Sequence, residues 1–406
     1  MTLSAIGSEK SHANWSPELW ALLHAVQTAV HGRVVDHGPT EPADLPALLA
    51  LARRHRLLPL LERNAAEAGI RISEAEHREL ISETLRTAAR NLLLSSILLQ
   101  VMEAMRARGI SALSYKGPVV AVWAYGELGL RMFEDLDVLV RRRDLPLAAG
   151  TLRNLGFRLH HPRGDSDAPL AVPTEYHFPF WREREGVLVE LHCRLAPYYF
   201  LGRADAGQNL ARVVPASVGF GAFPVLCVED LLLALCFHGA KHAWQWLSMI
   251  ADIALLIARR PEIDWDVLWL RAGELGARRM VLCSLALAER AFAVPVPAGL
   301  AAAAKRDSEV LTVTARAMAG WQSNAFGPAA VAVPRFHVRC FDRRRDRFRY
   351  VALLALAPNW DDIEWVLLPR ALTPLYWLLR PLRLLSRRLP PLLRLLAGRP
   401  AGPTAR

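Results

Sequence analysis

The chain has 406 residues, 52% apolar and 22% charged, enough to bury a sizeable core in two or three domains. That composition excludes wholesale disorder, collagen and a disulfide-rich mini-scaffold. The net charge of +11 is concentrated, because Pro369 to Arg406 holds eight arginines and no acid; the basic pI therefore describes the tail rather than a nucleic-acid-binding body.

Residues 1–14 are polar and expected to be a disordered N-terminus without a signal peptide. Residues 15–109 read as a helical domain. Ser16-Pro17-Glu18, Thr40-Glu41-Pro42 and Ser73-Glu74 are helix starts, and Glu74 to Arg108 is one long amphipathic run. Residues 110–200 read as an α/β core. Ile110–Tyr115 is a short strand, Lys116-Gly117-Pro118 a turn, and Val119–Tyr125 a helix. Asp135 to Val140 alternates acidic and apolar residues, which is strand-like. Asp144–Leu155 is helical, and Phe157–His160, Tyr176–Trp181 and Val187–Arg194 complete a mixed sheet.

Residues 201–340 are expected to be a helical domain. After a Gly/Ala-rich loop, a long helix opens at Val228-Glu229-Asp230 and runs to about Ala258. Residues 341–406 form a basic Leu/Arg/Pro-rich C-terminal segment, in which Pro374, Pro381, Pro390 and Pro391 are expected to break any single long helix. The fold class is thus α+β, a mixed sheet between helical N- and C-terminal regions. No apolar run reaches the ~18 residues a bilayer span needs. The five cysteines contain no CxxC and read as reduced thiols of a cytoplasmic protein.

Three short pieces of the core carry chemistry. Lys116-Gly117 closes a strand and opens a helix, a turn that suits phosphate. Asp135 and Asp137 share one face of the next strand by the period of two. Glu190, in Val-Glu-Leu-His, joins them if its strand lies alongside. Two like charges about 4 Å apart repel by roughly 4 kcal/mol at an effective dielectric near 20, so either some of these acids are protonated or a cation sits among them. Mg²⁺, or Mn²⁺, with oxygen ligands and substrate phosphates is the natural partner.

On these residues the chain resembles the bacterial uncharacterised nucleotidyltransferase family of the polymerase-beta-like superfamily. The resemblance is carried by SYKGPVVAVWAYGELGLRMFEDLDVLVRRRDLPLAAGTLRNLGF (114–157), VLVELHCRL (187–195), EDLLLALCFHGAKHAWQWLSMIADIALLI (229–257) and LPRALTPLYWLLRPLRLL (368–385). It implies transfer of a nucleoside monophosphate from an NTP such as ATP to an acceptor, with release of pyrophosphate. Asp135 and Asp137 would hold the metals, and Glu190 would ligate a metal or act as base. The Lys116-Gly117 pair stands where the superfamily has Gly-Gly or Gly-Ser. The acceptor stays open among small molecule, sugar phosphate, peptide, protein and tRNA. The alternative is an inactive nucleotide- or partner-binding module on the same fold.

Several residues carry two readings. Arg131 either reaches phosphate or pairs with Glu134 or Asp135. His238 and His242, spaced i and i+4, share a helix face; a polar wall of the cleft is favoured over zinc, because HGAKH lacks the glutamate of HExxH. Lys241, one of only four lysines, contacts triphosphate or sits on a solvated face. His192 orients a carboxylate or phosphate, or is a satisfied core histidine. Asp252 is a helix-packing partner or a cleft residue. Trp244, Trp246, Trp265 and Trp269 read as core. The Arg-rich tail either makes a weak membrane-surface contact or packs on the body with its arginines outward, and the packed reading is favoured.

Overall fold

The computed structural model describes residues 15–35, 44–160, 170, 174–201, 212–218, 221–322 and 333–396. The expected disordered N-terminus at 1–14 lies outside them. The core is a seven-stranded mixed sheet built from β1 (Ala112–Ser114), β2 (Asp135–Val140), β3 (Arg158–Leu159), β4 (His177–Arg182), β5 (Val187–His192), β6 (Val213–Val218) and β7 (Gly221–Leu226). Their order across the sheet is β3-β4-β5-β2-β1-β7-β6. β2 runs antiparallel to β1 and parallel to β5, and β1 runs parallel to β7.

Helices surround this sheet. In chain order they are α1 (Pro17–His31), α2 (Leu45–Arg54), α3 (Leu58–Asn64), α4 (Glu74–Ala107), α5 (Pro118–Val120) and α6 (Leu145–Asn154). Next come α7 (Val228–Lys241), α8 (Leu247–Arg259), α9 (Trp265–Leu275), α10 (Arg278–Phe292), α11 (Ala298–Arg306) and α12 (Ser308–Gly320). The last are α13 (Val333–Arg339), α14 (Arg344–Leu356), α15 (Trp360–Trp365) and α16 (Tyr376–Leu396). Local chemistry explains several starts. Ser16 accepts from the Leu19 N–H with Pro17 at the first position, and Ser73 with Glu76 forms a capping box for α4. Asp44 caps α2 by accepting from Ala47 N–H at 3.1 Å. None of the five cysteines is in a disulfide. Among the described residues no helix is long and apolar enough to cross a membrane.

Four expectations are corrected. The Gly/Ala-rich stretch after residue 201, read as loop, contains β6 and β7, which extend the sheet beyond β1. Pro215 and Pro224 face each other across this hairpin; Pro215 is tolerated because β6 is the sheet edge and needs no donor on its outer side, whereas Pro224 lies on β7, between β6 and β1. The long helix expected from Val228 to about Ala258 is two helices, α7 and α8, reversed by a turn at 242–246. The C-terminal prolines do not break α16, which runs through Pro381. Nor do its first arginines point outward: Arg380 and Arg383 are buried on Asp362, and these ion pairs hold the helix across the donor that Pro381 lacks.

Candidate active site

The parallel pairing of β2 with β5 sets the register Asp137↔Glu190 and Leu139↔His192. Side chains alternate along a strand, so Asp135 and Asp137 from β2 share one face with Glu190 and His192 from β5. His192 Nε2 lies 3.0 Å from Asp137 Oδ1 and 3.1 Å from Glu190 Oε2. Asp137, Glu190 and His192 each offer a ligand atom within 4.8 Å of the other two. Asp137 is almost wholly buried, and its Oδ2 has no hydrogen-bond partner among the described residues. A buried carboxylate oxygen without a donor costs free energy, and a cation would satisfy it.

The Lys116-Gly117 turn closes this end of the cleft. Gly117 has φ +51°, a left-handed backbone that favours glycine, and a Cβ there would meet the Asp135 carbonyl at 3.5 Å. The helix that follows is brief, three α residues and then a π turn over Ala121–Tyr125. Lys116 Nζ donates to Asp137 Oδ1 at 2.7 Å. Burial works against charge on all of these groups, but their mutual attraction offsets it. Lys116 and His192 are held above their ordinary values by the neighbouring carboxylates. Burial would raise Asp137, but Lys116 and His192 hold it well below the usual range. Glu190 is likewise held low by His192 against its burial. Asp135 moves the other way, raised by burial and by the Asp137 charge.

The opposite wall comes from α7 and the turn after it. Lys241 Nζ donates to the Tyr176 hydroxyl at 2.6 Å, and the His238 and His242 rings sit 4.7 Å apart. The turn places Ala243 and Trp244 at φ +54° and +48°, conformations that cost about 1–3 kcal/mol each. Packing sustains them. Trp244 Nε1 donates to Ser284 Oγ at 3.1 Å, and Trp321 Nε1 donates to the Trp244 carbonyl at 2.9 Å. A Cβ at Gly239 would lie 2.3 Å from Trp244 Nε1, so glycine there makes room for the indole. The reversal brings Trp246 back to the cleft, where Arg56 from the N-terminal helices stacks over it at 4.8 Å. Burial keeps His238 far below its ordinary value and pushes His242 down to about 3, with Lys241 and Lys116 adding to both. Burial and Lys116 also lower Lys241.

Arg131 pairs with neither Glu134 nor Asp135. Its Nε and Nη2 each donate to the Asp252 carboxylate at 2.8 Å, and the Tyr125 hydroxyl donates to the same group at 2.8 Å. Asn91 of α4 braces the loop, donating to the Leu128 and Arg131 carbonyls at 2.6 and 2.8 Å. Arg131, Asp252, Lys116, Gly117, Asp135, Asp137, Glu190, His192, His238 and Lys241 all line one cleft. The residues singled out in the sequence therefore converge. Tyr115, Tyr176, Arg56 and Trp246 line it too. Tyr115 adjoins the Lys116 turn and was within reach of sequence reading. Arg56, from a different helical region, carries no local signal. Trp244 is core as expected, whereas Trp246 faces the cleft.

The chain belongs to the family described as uncharacterised nucleotidyltransferase, whose model matches residues 41–293. That span contains every cleft residue named above and ends before α11. No curated protein matches the chain.

Proposed function

We propose that the protein is a nucleotidyltransferase of the polymerase-beta-like type, using Mg²⁺ or Mn²⁺ to move a nucleoside monophosphate from an NTP to an acceptor. The observation that carries this reading is the register of β2 on β5. It brings Asp137, Glu190 and His192 together with Asp135 on one wall of a cleft, and Asp137 keeps a partnerless oxygen there. The carboxylate oxygens of this set fit a hard divalent ion such as Mg²⁺ or Mn²⁺. When bound, the metal supplies charge neutralisation at the phosphates and a more acidic acceptor oxygen. Asp137, Glu190 and His192, with Asp135 beside them, would hold it.

The rest is the work of the chain's own groups. Gly117 lets the backbone approach the triphosphate, and Lys116, Lys241 and His238 face its charge. The acceptor oxygen forms the new bond to the α-phosphorus. The bond to the bridging oxygen breaks, and pyrophosphate leaves with that electron pair. Glu190, the less buried of the two carboxylates bonded to His192, would take the acceptor's proton. Arg131 is a positioning residue in this scheme, because the Asp252 carboxylate takes its Nε and Nη2 donors in a two-pronged pair.

A second reading rests on Lys116. Its ammonium sits 2.7 Å from Asp137, where it competes with an ion for Oδ1, as expected of a nucleotide-binding module that does no transfer. Calorimetric titration of each NTP, with and without Mg²⁺, on wild type and Asp137→Ala separates the two when paired with a pyrophosphate-release assay. Metal-dependent binding lost in the variant, together with pyrophosphate release by wild type, supports the enzyme. Binding without release supports the module, and no NTP binding overturns both.

A further inference from the structure

We propose that α16 lays the C-terminal segment onto the surface of an anionic lipid bilayer through an outward row of leucines. The helix is inside out relative to an ordinary surface helix. Its inward stripe is Tyr376, Arg380 and Arg383, all buried. The Tyr376 hydroxyl donates to the Val366 carbonyl at 2.9 Å. Arg383 Nε donates to Asp362 Oδ1 at 2.6 Å and Arg380 Nη1 to Oδ2 at 3.4 Å. With these three positions facing in, the opposite stripe is Leu378, Leu382 and Leu385, which are 67%, 56% and 57% exposed. The same four-then-three spacing continues in the sequence with Leu389, Leu392 and Leu396, whose side chains lie outside the described set.

Two stripes at this spacing on opposite faces are not an accident of one residue. The ion pairs to Asp362 fix the rotation of the helix about its axis, and that rotation presents the leucines to solvent. An exposed apolar row of this kind marks a contact surface.

Charge decides what covers it. Pro369 to Arg406 contains eight arginines and no acid. Arg380 and Arg383 are neutralised by Asp361 and Asp362, and for the other six arginines the sequence of the segment contains no acid. A second copy would bring the same positive charge to the leucines. An anionic bilayer meets both features. Leucines enter the boundary between headgroups and acyl chains, while arginines reach the lipid phosphates. The helix would lie on the membrane rather than span it. This inference is independent of the chemistry assigned to the cleft.

The test is co-flotation of the full chain with phosphatidylcholine vesicles, with or without phosphatidylglycerol. The wild-type chain should float with the anionic vesicles, not with the zwitterionic ones, and less so as salt is raised. The triple substitution Leu378→Glu, Leu382→Glu and Leu385→Glu should lower flotation at least roughly tenfold with an unchanged thermal melt. If that variant does not fold, Leu382→Gln alone should still weaken flotation measurably. Absent flotation of wild type on anionic vesicles overturns the proposal, as does equal flotation of the folded variants. So does a vesicle-free dimer, seen by light scattering, that the substitutions dissociate, since a second copy would then be the occupant.

Discussion

Asp137 and Asp362 are both buried aspartates held between two cations, yet they serve opposite ends. Asp362 accepts from Arg383 and Arg380, and its Oδ2 also accepts from the Asn359 N–H at 2.8 Å, so both oxygens are used. Asp137 takes Lys116 and His192 on the same oxygen and leaves the other without a partner among the described residues. Around Asp362 the cations outnumber what one carboxylate needs, with Asp361 sharing Arg383. Around Asp137 the acids are in surplus, with Asp135 and Glu190 on the same face. A buried charge that is fully paired acts as a clamp. One left short of partners in an open cleft holds binding capacity in reserve.

Crossed substitutions sharpen that comparison. Asp137→Asn should reduce pyrophosphate release by about three orders of magnitude, while its melt moves far less than that of the clamp variant. Asp362→Asn should do the reverse. Removing one partner of a buried pair costs about 3–5 kcal/mol, read as proteolytic release of α16 and a lower urea midpoint, with turnover in the cleft nearly intact. If the two variants lose activity alike, the division between clamp and site fails. Asp252→Asn tests the intermediate case, because its carboxylate is satisfied like Asp362 but lines the cleft like Asp137. It should lower turnover about tenfold through displacement of Arg131, with KM changing less than kcat.

A fourth buried acid sets a pH dependence apart from the cleft. Glu175 accepts from the Trp360 N–H at 2.9 Å, and burial pushes it up to about 8 from an ordinary 4.5, against the pull of Trp360 and Arg142. The folded state therefore binds this proton more tightly than the unfolded state does. Its contribution is fully present below pH 4.5 and is lost as pH rises through 8, with a slope of at most about 1.4 kcal/mol per pH unit. Glu175→Gln should flatten that part of the stability profile in urea melts between those pH values. An unchanged slope would remove Glu175 as its source.

Much of the candidate site was legible because it is local. Alternation in Asp135-Leu136-Asp137 and Val189-Glu190-Leu191 marks both strands and the shared faces of their acids. Helix starts at Ser16 and Ser73 were legible for the same reason, since a cap lies within three residues of what it satisfies. β6 and β7 were not, because Pro215 and Pro224 look like breakers until the pairing of the hairpin is known. The break between α7 and α8 depends on Trp244 meeting Ser284, 40 residues on. Arg131 had acids beside it in sequence, and its true partner is 121 residues away.

What the sequence determined by itself is therefore the chemistry of each element and the face on which that chemistry sits, because side-chain direction follows from the local helical or strand period. Only the tertiary structure decided which charges meet. Docking set the register that joins Asp137 to Glu190, gave Arg131 to Asp252, and turned Arg380 and Arg383 inward so that the leucines of α16 face out. The physical reason is that a period fixes orientation relative to an element's own axis, whereas pairing depends on how distant elements pack, and in a chain with 46 arginines and 39 acidic residues many pairings are chemically equivalent until packing selects one.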